Sequence, residues 1–564
     1  MSALPEQWHA RAIASERSGD RTEGIRLLAQ ALAEHPDHAQ LQNALGSMAM
    51  RSGDAESAQA AFSRALKLEP DNLEFALNLA IALGQLELHE EALSLLHEHE
   101  AAGARQARYW SVRATTARAA GRPAEAAAYY DKCLSIEPRH VRALHGRART
   151  ALDRGEKNAA HRFDAALAVN GGEADLWLGK AQALDAQGDS AAARDLMQQL
   201  VAQAPGWLDG LKFLSQLRLA DGEKDFASPY FEAARRVPDD PSIPLGHAAV
   251  LAGLEFADEA ADVAAEARKR FPDNPQFRLL EAVHAGDAGQ IERAESIYAE
   301  LALDTSERAI HEARHRIRRG QFERAEGLLA HALDEQAMVH TAYALLGFIW
   351  RINNDPRAAW LHEQEGLVRL LPLRQSETIL PQATKVLHDL HETSPLPLGQ
   401  SLRGGTQTRH ILFHRREPEL AQLRDAIQAT LEDYRAGLPG ADDAHPLLRH
   451  RLVPWTLAGS WSVRMQGGGD YHASHIHPLG MLSSALYLLV PEEAEGDDRQ
   501  GWLEIGRPPP DLGLDLGPLA SIQPQEGHLA LFPSTLYHGT TSFREGLRMT
   551  VAFDVVPAIG RRHG

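Results

Sequence analysis

A small residue recurs along the first two-thirds of this chain at steps of 33 or 34 residues, and this period constrains the fold more than any other feature. The positions are Gly24, Ala58, Ala92, Ala126, Ala160, Ala193, Ala227, Ala260, Ala294, Ala325 and Ala359, with a single step of 31. Turn residues keep pace at Gly19-Asp20, Gly53-Asp54, Gly121, Gly155, Gly188-Asp189, Gly222, Gly289 and Gly320, and Pro36, Pro70, Pro138, Pro205, Pro238 and Pro272 close several units. Within 58–68, apolar residues fall at helical spacing, and Ala58 and Ala65 are small enough for close helix packing. Pro70 then ends the helix because it cannot continue the hydrogen-bond ladder. One such helix pair cannot bury its apolar face alone, so neighbours must stack into a solenoid with a continuous core. About eleven pairs are expected over residues 1–372, the first and last atypical.

The period and pattern resemble the tetratricopeptide repeat, which implies an extended surface that takes a peptide or protein ligand. A spacer or an oligomerisation surface is the alternative use of the same architecture. Asn43 and Asn78 are candidates for lining the groove, although an Asn on a helix face is also simply solvated.

At 564 residues the chain exceeds one compact domain. A formal charge of −19 opposes general nucleic-acid binding, which needs a basic surface. No run approaches the roughly 20 apolar residues of a membrane helix. The start, Met1 to His9, lacks a basic stretch followed by an apolar core, so a cytoplasmic location is expected. One cysteine, Cys133, excludes an internal disulfide framework and a thiolate metal cluster; it reads as a small buried helix residue.

The period fades after Ala359-Trp360-Leu361, and the composition shifts at Leu371-Pro372-Leu373, which places a boundary near Pro372 and a second domain over 373–564. Helical patterns are expected over 383–391 and 417–434, the latter with Leu420, Leu423, Ile427 and Leu431 on one face, and a strand at Ile411-Leu412-Phe413. Strand-like runs follow at 462–465, 483–490, 501–505, 528–532 and 549–556, separated by Gly- and Pro-rich turns. Short strands at such spacing suit a double-sheet jelly roll.

The second domain centres on His475-Ile476-His477. An H-x-H pair puts two imidazoles on one side of an extended segment, and His538, after the apolar run Leu529-Ala530-Leu531-Phe532, can supply a third ligand. Three ligands on one face leave open positions, as a non-haem Fe(II) oxygenase requires, although the usual set is two His and one carboxylate. His472 is a candidate substitute for His475, and Asp470, the nearest preceding carboxylate, reads as the close of a Gly-rich turn.

The ordered words Gly459-Ser460-Trp461-Ser462-Val463-Arg464, His475-Ile476-His477-Pro478-Leu479-Gly480, Leu482 to Tyr487, Gly527 to Ser534, Tyr537-His538-Gly539-Thr540 and Arg548-Met549-Thr550 resemble the 2-oxoglutarate/Fe(II) dioxygenases, in a bacterial branch that often follows tetratricopeptide repeats. The resemblance implies a double-stranded β-helix fold, with Fe(II) on His475, His477 and His538. It implies that Arg548 grips the distal carboxylate of 2-oxoglutarate, a task suited to a bidentate, permanently charged guanidinium. Thr550 adds a hydroxyl from the same strand face, and Tyr487 and Ser483 are further co-substrate contacts on the strand after the histidines. Arg464 and Arg403 are weaker candidates. The implied reaction uses O2 to decarboxylate 2-oxoglutarate oxidatively to succinate and CO2 and to hydroxylate a substrate C–H bond. With the repeats, this points to a peptide or protein substrate. Two other readings stay open: a repeat adaptor with an inactive oxygenase-like domain, and a three-histidine metal dioxygenase that does not use 2-oxoglutarate.

Overall fold

The computed structural model describes residues 4–397, 399–496 and 498–558; residues 1–3 of the N-terminal stretch and 559–564 of the C-terminal domain lie outside the described residues. The chain divides into two compact units, which part between Ala183 and Leu184.

The first unit is a run of helix pairs from Pro5–Arg17 with Arg21–Glu34 to Val141–Asp153 with Ala159–Leu167, plus a one-turn helix at Glu100–Gly103. The turns explain the sequence signals. Gly19 and Gly53 adopt φ of +96° and +80°, open to glycine at little cost. The Asp that follows each one caps the next helix, with Asp20 and Asp54 accepting the N–H of Glu23 and Ser57. Asn72 does the same for the helix Leu73–Gln85 after Pro70. Cys133 is fully buried in the helix Pro123–Ile136. Asn43 and Asn78 are half-buried and bonded to each other at 2.8 Å, with Arg108 on Asn78 at 2.9 Å, so they form a polar ladder across adjacent repeats.

Two anchor positions shift by one residue. Ala159 and Ala358, not Ala160 and Ala359, are the buried small residues of their repeats. In the second repeat the leading turn closes by an i→i+4 bond, Ala58 N–H to Asp54 carbonyl. At the shifted sites it closes by i→i+3, Ala159 to Glu156 and Ala358 to Asp355. The tighter turn advances the helix face by one position.

The second unit holds the helix Ser190–Gln203, the helix pairs from Leu208–Ala220 to Arg357–His362, and the β-rich region. Its strands are β1 (Arg369–Pro372), β2 (Leu402–Arg403), β3 (Thr406–Gln407), β4 (Trp455–Met465), β5 (Tyr471–His472), β6 (Leu482–Leu489), β7 (Leu503–Ile505), β8 (Ala520–Ile522), β9 (His528–Pro533), β10 (His538–Thr540) and β11 (Arg548–Pro557). The larger sheet has the order β1-β9-β6-β11-β4-β3 and the smaller β10-β7-β8, all antiparallel, with β2 and β5 as a separate pair. The fold class is therefore a helical repeat solenoid followed by a mainly antiparallel, jelly-roll-like domain. Leu486, Leu529, Val551 and Phe553 pack from the larger sheet against Leu420, Leu423, Ile427 and Leu431 of the helix Pro418–Ala436. Tyr487, Ala530 and Phe532, on the opposite face, pack with Leu503 and Ile505 of the smaller sheet.

Two local expectations change. The segment read as a strand at 411–413 is a 3-10 turn, Leu412–His414, that follows a left-handed His410 (φ +59°) and sinks Leu412 into the core. The helix expected at 383–391 begins earlier, as Ser376–His391, and carries Pro381 inside it at the loss of one ladder bond.

The last repeats pack directly on the β-rich region. Arg314 reaches the Tyr537 hydroxyl at 2.8 Å and Asp511 at 2.6 Å, and Arg318 meets Asp511 at 2.7 Å. Arg351 donates to the carbonyls of Gly506 and Gly517. Phe348 packs on the Tyr537 ring, with centroids 5.3 Å apart. Asp511→Asn removes the charge that both arginines share, and the expected cost is about 2 kcal/mol, the scale of a charge-assisted hydrogen bond, measured by denaturant unfolding of the full chain.

Buried histidines set a pH dependence. His391 lies between the hydroxyls of Thr406 (2.9 Å) and Ser462 (3.0 Å), and burial, followed by the Arg464 charge, pushes its pKa down to about 3. Burial also holds His362 at about 3. The unfolded chain takes up these protons near the ordinary value of about 6.5, so stability is complete above that pH and declines as pH falls toward about 3. Melting temperature recorded against pH should show this decline in metal-free protein, and His391→Asn should flatten part of it.

Candidate metal centre

His475 and His538 face each other across a narrow antiparallel bridge. The N–H of His475 donates to the His538 carbonyl at 3.0 Å, and the N–H of His538 returns the bond at 2.9 Å. His538 begins β10, and His475 lies between β5 and β6. His477, two residues on, turns to the same side. The ring centroids of His475 and His538 are 4.3 Å apart, and each is 5.1 Å from that of His477. One nitrogen from each of the three lies within 4.8 Å of the other two.

The hydrogen bonds fix which nitrogen is offered. The Nδ1 of His475 faces the Ala473 carbonyl at 2.8 Å, that of His538 the Leu536 carbonyl at 3.2 Å, and that of His477 the carboxylate Oδ1 of Asp554 at 2.5 Å. Each acceptor requires the proton on Nδ1, so the neutral form of each ring offers Nε2. The Nε2 atoms of His475 and His477 stand 3.1 Å apart. That spacing suits a proton or a cation shared between the two nitrogens. Burial pushes the His475 pKa down to about 3 and holds His538 well below the usual range, in each case helped by a neighbouring imidazole. Both are neutral at physiological pH, ready to coordinate. The residues present therefore fit a divalent metal.

The trio lines a cavity of about 460 Å³. Arg548, Thr550, Ala552 and Asp554, successive inward residues of β11, form one wall, and Trp461, Val463, Gln400, Ser401 and Gln407 form others. Arg548 is 2% exposed. Its guanidinium lies 5.5 Å from the Tyr487 ring centroid, and neither its Nε nor the Tyr487 hydroxyl has a hydrogen-bond partner. Among the described residues no carboxylate pairs with it. Burial lowers its pKa, but a guanidinium stays charged. A buried cation without a counter-ion is costly, and an anionic ligand at this spot relieves the cost.

The other sequence candidates are placed as follows. Thr550 lines the cavity beside Arg548. Tyr487 pairs with Thr550 across β6 and β11, and its ring packs between the sheets. Ser483 shares that face, but its hydroxyl is bonded to Ser534 at 3.0 Å. His472 lines the same cavity with Nδ1 3.2 Å from the Ser401 hydroxyl, and it is not one of the three converging histidines. Asp470 accepts the Gln466 N–H and so closes the Gly-rich turn. Arg464 is paired with Glu392 at 2.8 Å, and Arg403 with Glu255.

Sequence reasoning missed Asp554, although the period-two rule that puts Thr550 with Arg548 extends to it. Trp461, stacked on the His477 ring at 5.4 Å, also went unassigned, as did the polar wall of Gln400, Ser401 and Gln407. No local pattern marks those residues.

Comparison with known proteins finds matches for both the repeats and the C-terminal region. Residues 459–554 match a family described as "Putative 2OG-Fe(II) oxygenase". Residues 9–58, 49–115, 107–140 and 145–206 match tetratricopeptide-repeat families. Protein FlbA of Caulobacter vibrioides is 35% identical over 153 residues, 27% of this chain, and the chain spans about a quarter (26%) of that relative's length. Among solved structures, PilW, a type IV pilus biogenesis factor, is 20% identical with a TM-score of 0.36, over 38% of this chain and 100% of that one. A tetratricopeptide repeat protein from Parabacteroides merdae is 19% identical with a TM-score of 0.36, over 43% and 97%. The chain thus joins tetratricopeptide repeats to a C-terminal domain that matches the 2OG-Fe(II) oxygenase family.

Proposed function

We propose that this chain is an Fe(II)/2-oxoglutarate-dependent oxygenase that hydroxylates a peptide or protein presented by its repeats, in the cytoplasm, where iron(II) and 2-oxoglutarate are available. The observation that carries the reading is Arg548, a buried, unpaired cation at one end of the cavity that three metal-ready imidazoles occupy. In this reading His475, His477 and His538 hold the iron. The bound iron supplies O2 activation, with 2-oxoglutarate oxidised to succinate and CO2, one oxygen atom entering succinate and the other the substrate as a hydroxyl.

The chain's own residues bind and orient. Arg548 takes the distal carboxylate of 2-oxoglutarate through paired charge-assisted hydrogen bonds. The Thr550 hydroxyl and the unpartnered Tyr487 hydroxyl donate to the same group, and Ser483 braces the strand behind it through Ser534. The apolar packing of Leu503, Ile505 and Phe532 behind the site excludes water.

Support for a polypeptide substrate comes from the cavity mouth. Leu479, directly after the His477-Pro478 turn, is 86% exposed on the rim. The Gly399 side of the rim abuts the repeat turn at Gly253, and Arg403 pairs with Glu255 of that turn. The last two repeats pack on Tyr537 and Leu512, so the surface left for a partner lies on earlier repeats and at this rim. Residues 1–372 deliver the substrate in this reading and residues 373–564 react with it, with β1 at the join.

Anaerobic addition of Fe(II) and then 2-oxoglutarate should produce the charge-transfer absorption of a metal-chelated 2-oxo acid. Arg548→Ala should weaken 2-oxoglutarate binding by about 100-fold or more, the loss of two bonds of about 1.5–3 kcal/mol each, while iron still binds. His538→Ala should abolish iron binding. Iron binding with no such band in wild-type protein favours a three-histidine dioxygenase that does not use 2-oxoglutarate; no iron binding leaves a repeat adaptor. Mass spectrometry of lysate proteins incubated with the loaded enzyme should show a gain of one oxygen atom, and turnover confined to small molecules would overturn the polypeptide part.

A further inference from the structure

We propose that Asp554 is a positioning residue for the metal, supplying through His477 the negative charge that three neutral imidazoles lack. The inference rests on the reading above in needing a metal at these histidines.

The three imidazoles are not held alike. His475 and His538 present Nδ1 to neutral backbone carbonyls, whereas His477 presents it to a carboxylate, over the shortest of the three distances, 2.5 Å. Among the described residues His477 is the only ion-pair partner of Asp554. A carboxylate in that position locks the ring in the tautomer that bares Nε2 and draws the Nδ1 proton toward itself, which makes Nε2 a stronger donor. A divalent metal on three neutral imidazoles keeps its full charge. With Asp554 hydrogen-bonded behind one of them, the assembly regains the net charge of the two-histidine, one-carboxylate set that such centres usually carry.

The surrounding backbone makes room for this carboxylate. Asp554 sits on the inward face of β11 with Arg548, Thr550 and Ala552, and the pairing of β11 with β4 shifts register between Asp554 and Val555. Such a bulge re-aims the side chain beside it. The residue paired opposite is Gly459. Gly480 lies so near that a Cβ there would stand 3.1 Å from the Asp554 Cβ and 3.4 Å from Oδ1. Trp461, stacked on His477 with 30° between the ring planes, restrains the ring further. The His477 imidazole is thus held by a stack and by a carboxylate.

The test uses Co(II) as the probe, on full-length wild type, Asp554→Asn and Gly480→Ala. Asn keeps the shape and an acceptor oxygen but not the charge, and Ala at 480 crowds the carboxylate without touching a histidine. Equilibrium dialysis should show Co(II) affinity lowered about 10- to 100-fold in Asp554→Asn and lowered to a smaller degree in Gly480→Ala. The visible Co(II) spectrum should shift in both, with little change in the melting temperature of the metal-free proteins. Asp554→Asn protein that binds Co(II) within about twofold of wild type, with the same spectrum, overturns the assignment and leaves the oxygenase reading standing, because an effect of the predicted 10- to 100-fold size would be plain. Wild-type Co(II) binding that survives His475→Ala unchanged overturns both.

Discussion

The period-two alternation of β11 is the constraint on which both the core and the candidate site depend. Met549, Val551, Phe553 and Val555 turn outward into the core beneath the helices, while Arg548, Thr550, Ala552 and Asp554 turn inward to the cavity. Burying each large apolar side chain is worth about 1.5–3 kcal/mol, and a slip of one residue would exchange the two sets. The hydrophobic effect thus holds the register, and the polar residues are carried into place by neighbours that do no chemistry. Because β11 lies between β4 and β6, the same register also fixes Trp461 and Tyr487 against it.

What the inward face carries is unfavourable taken alone. Among the described residues no carboxylate pairs with the buried Arg548 guanidinium, whose Nε has no hydrogen-bond partner, and the Nε2 atoms of two imidazoles stand 3.1 Å apart. Such groups persist only where the surrounding packing over-determines them, and here the cluster of Leu503, Ile505, Ala530 and Phe532 does so from behind. The arrangement is preorganised for an anion at one end of the strand face and a cation at the other. Sites of that kind bind without first having to reorganise.

The repeats enter this picture as scaffold as well as partner surface. Tyr537, whose backbone leads straight into His538, is gripped by Phe348 packing and by the Arg314 hydrogen bond. The backbone that delivers one of the three histidines is therefore braced by helices far earlier in the chain. The two parts of the second unit share a hydrophobic cluster that includes Ile310, Leu345, Leu512 and Tyr537.

Much of this was legible in the sequence, for definable reasons. The repeats are local: a Gly with positive φ, an Asp cap and a small residue at a fixed spacing act within one turn, so their 34-residue period reads directly as helix pairs. The H-x-H pair, the distal His538 and the Arg548-x-Thr550 alternation are likewise short-range patterns on strands. Local reading failed where a neighbour decided the outcome, as with the tightened turns that replace Ala160 by Ala159 and Ala359 by Ala358, or the apolar triplet at 411–413 that became a 3-10 turn. By itself the sequence determined the repeat architecture, the strand-rich character of the C-terminal region and the residue types able to take a metal and an anion, because each depends on spacing along the chain. Only the tertiary structure decided that three Nε2 atoms converge, that Arg548 is left unpaired, that Ser483 bonds to Ser534, and that Asp554 stands behind His477, because each depends on which strands lie side by side and which side chains the packing excludes from water.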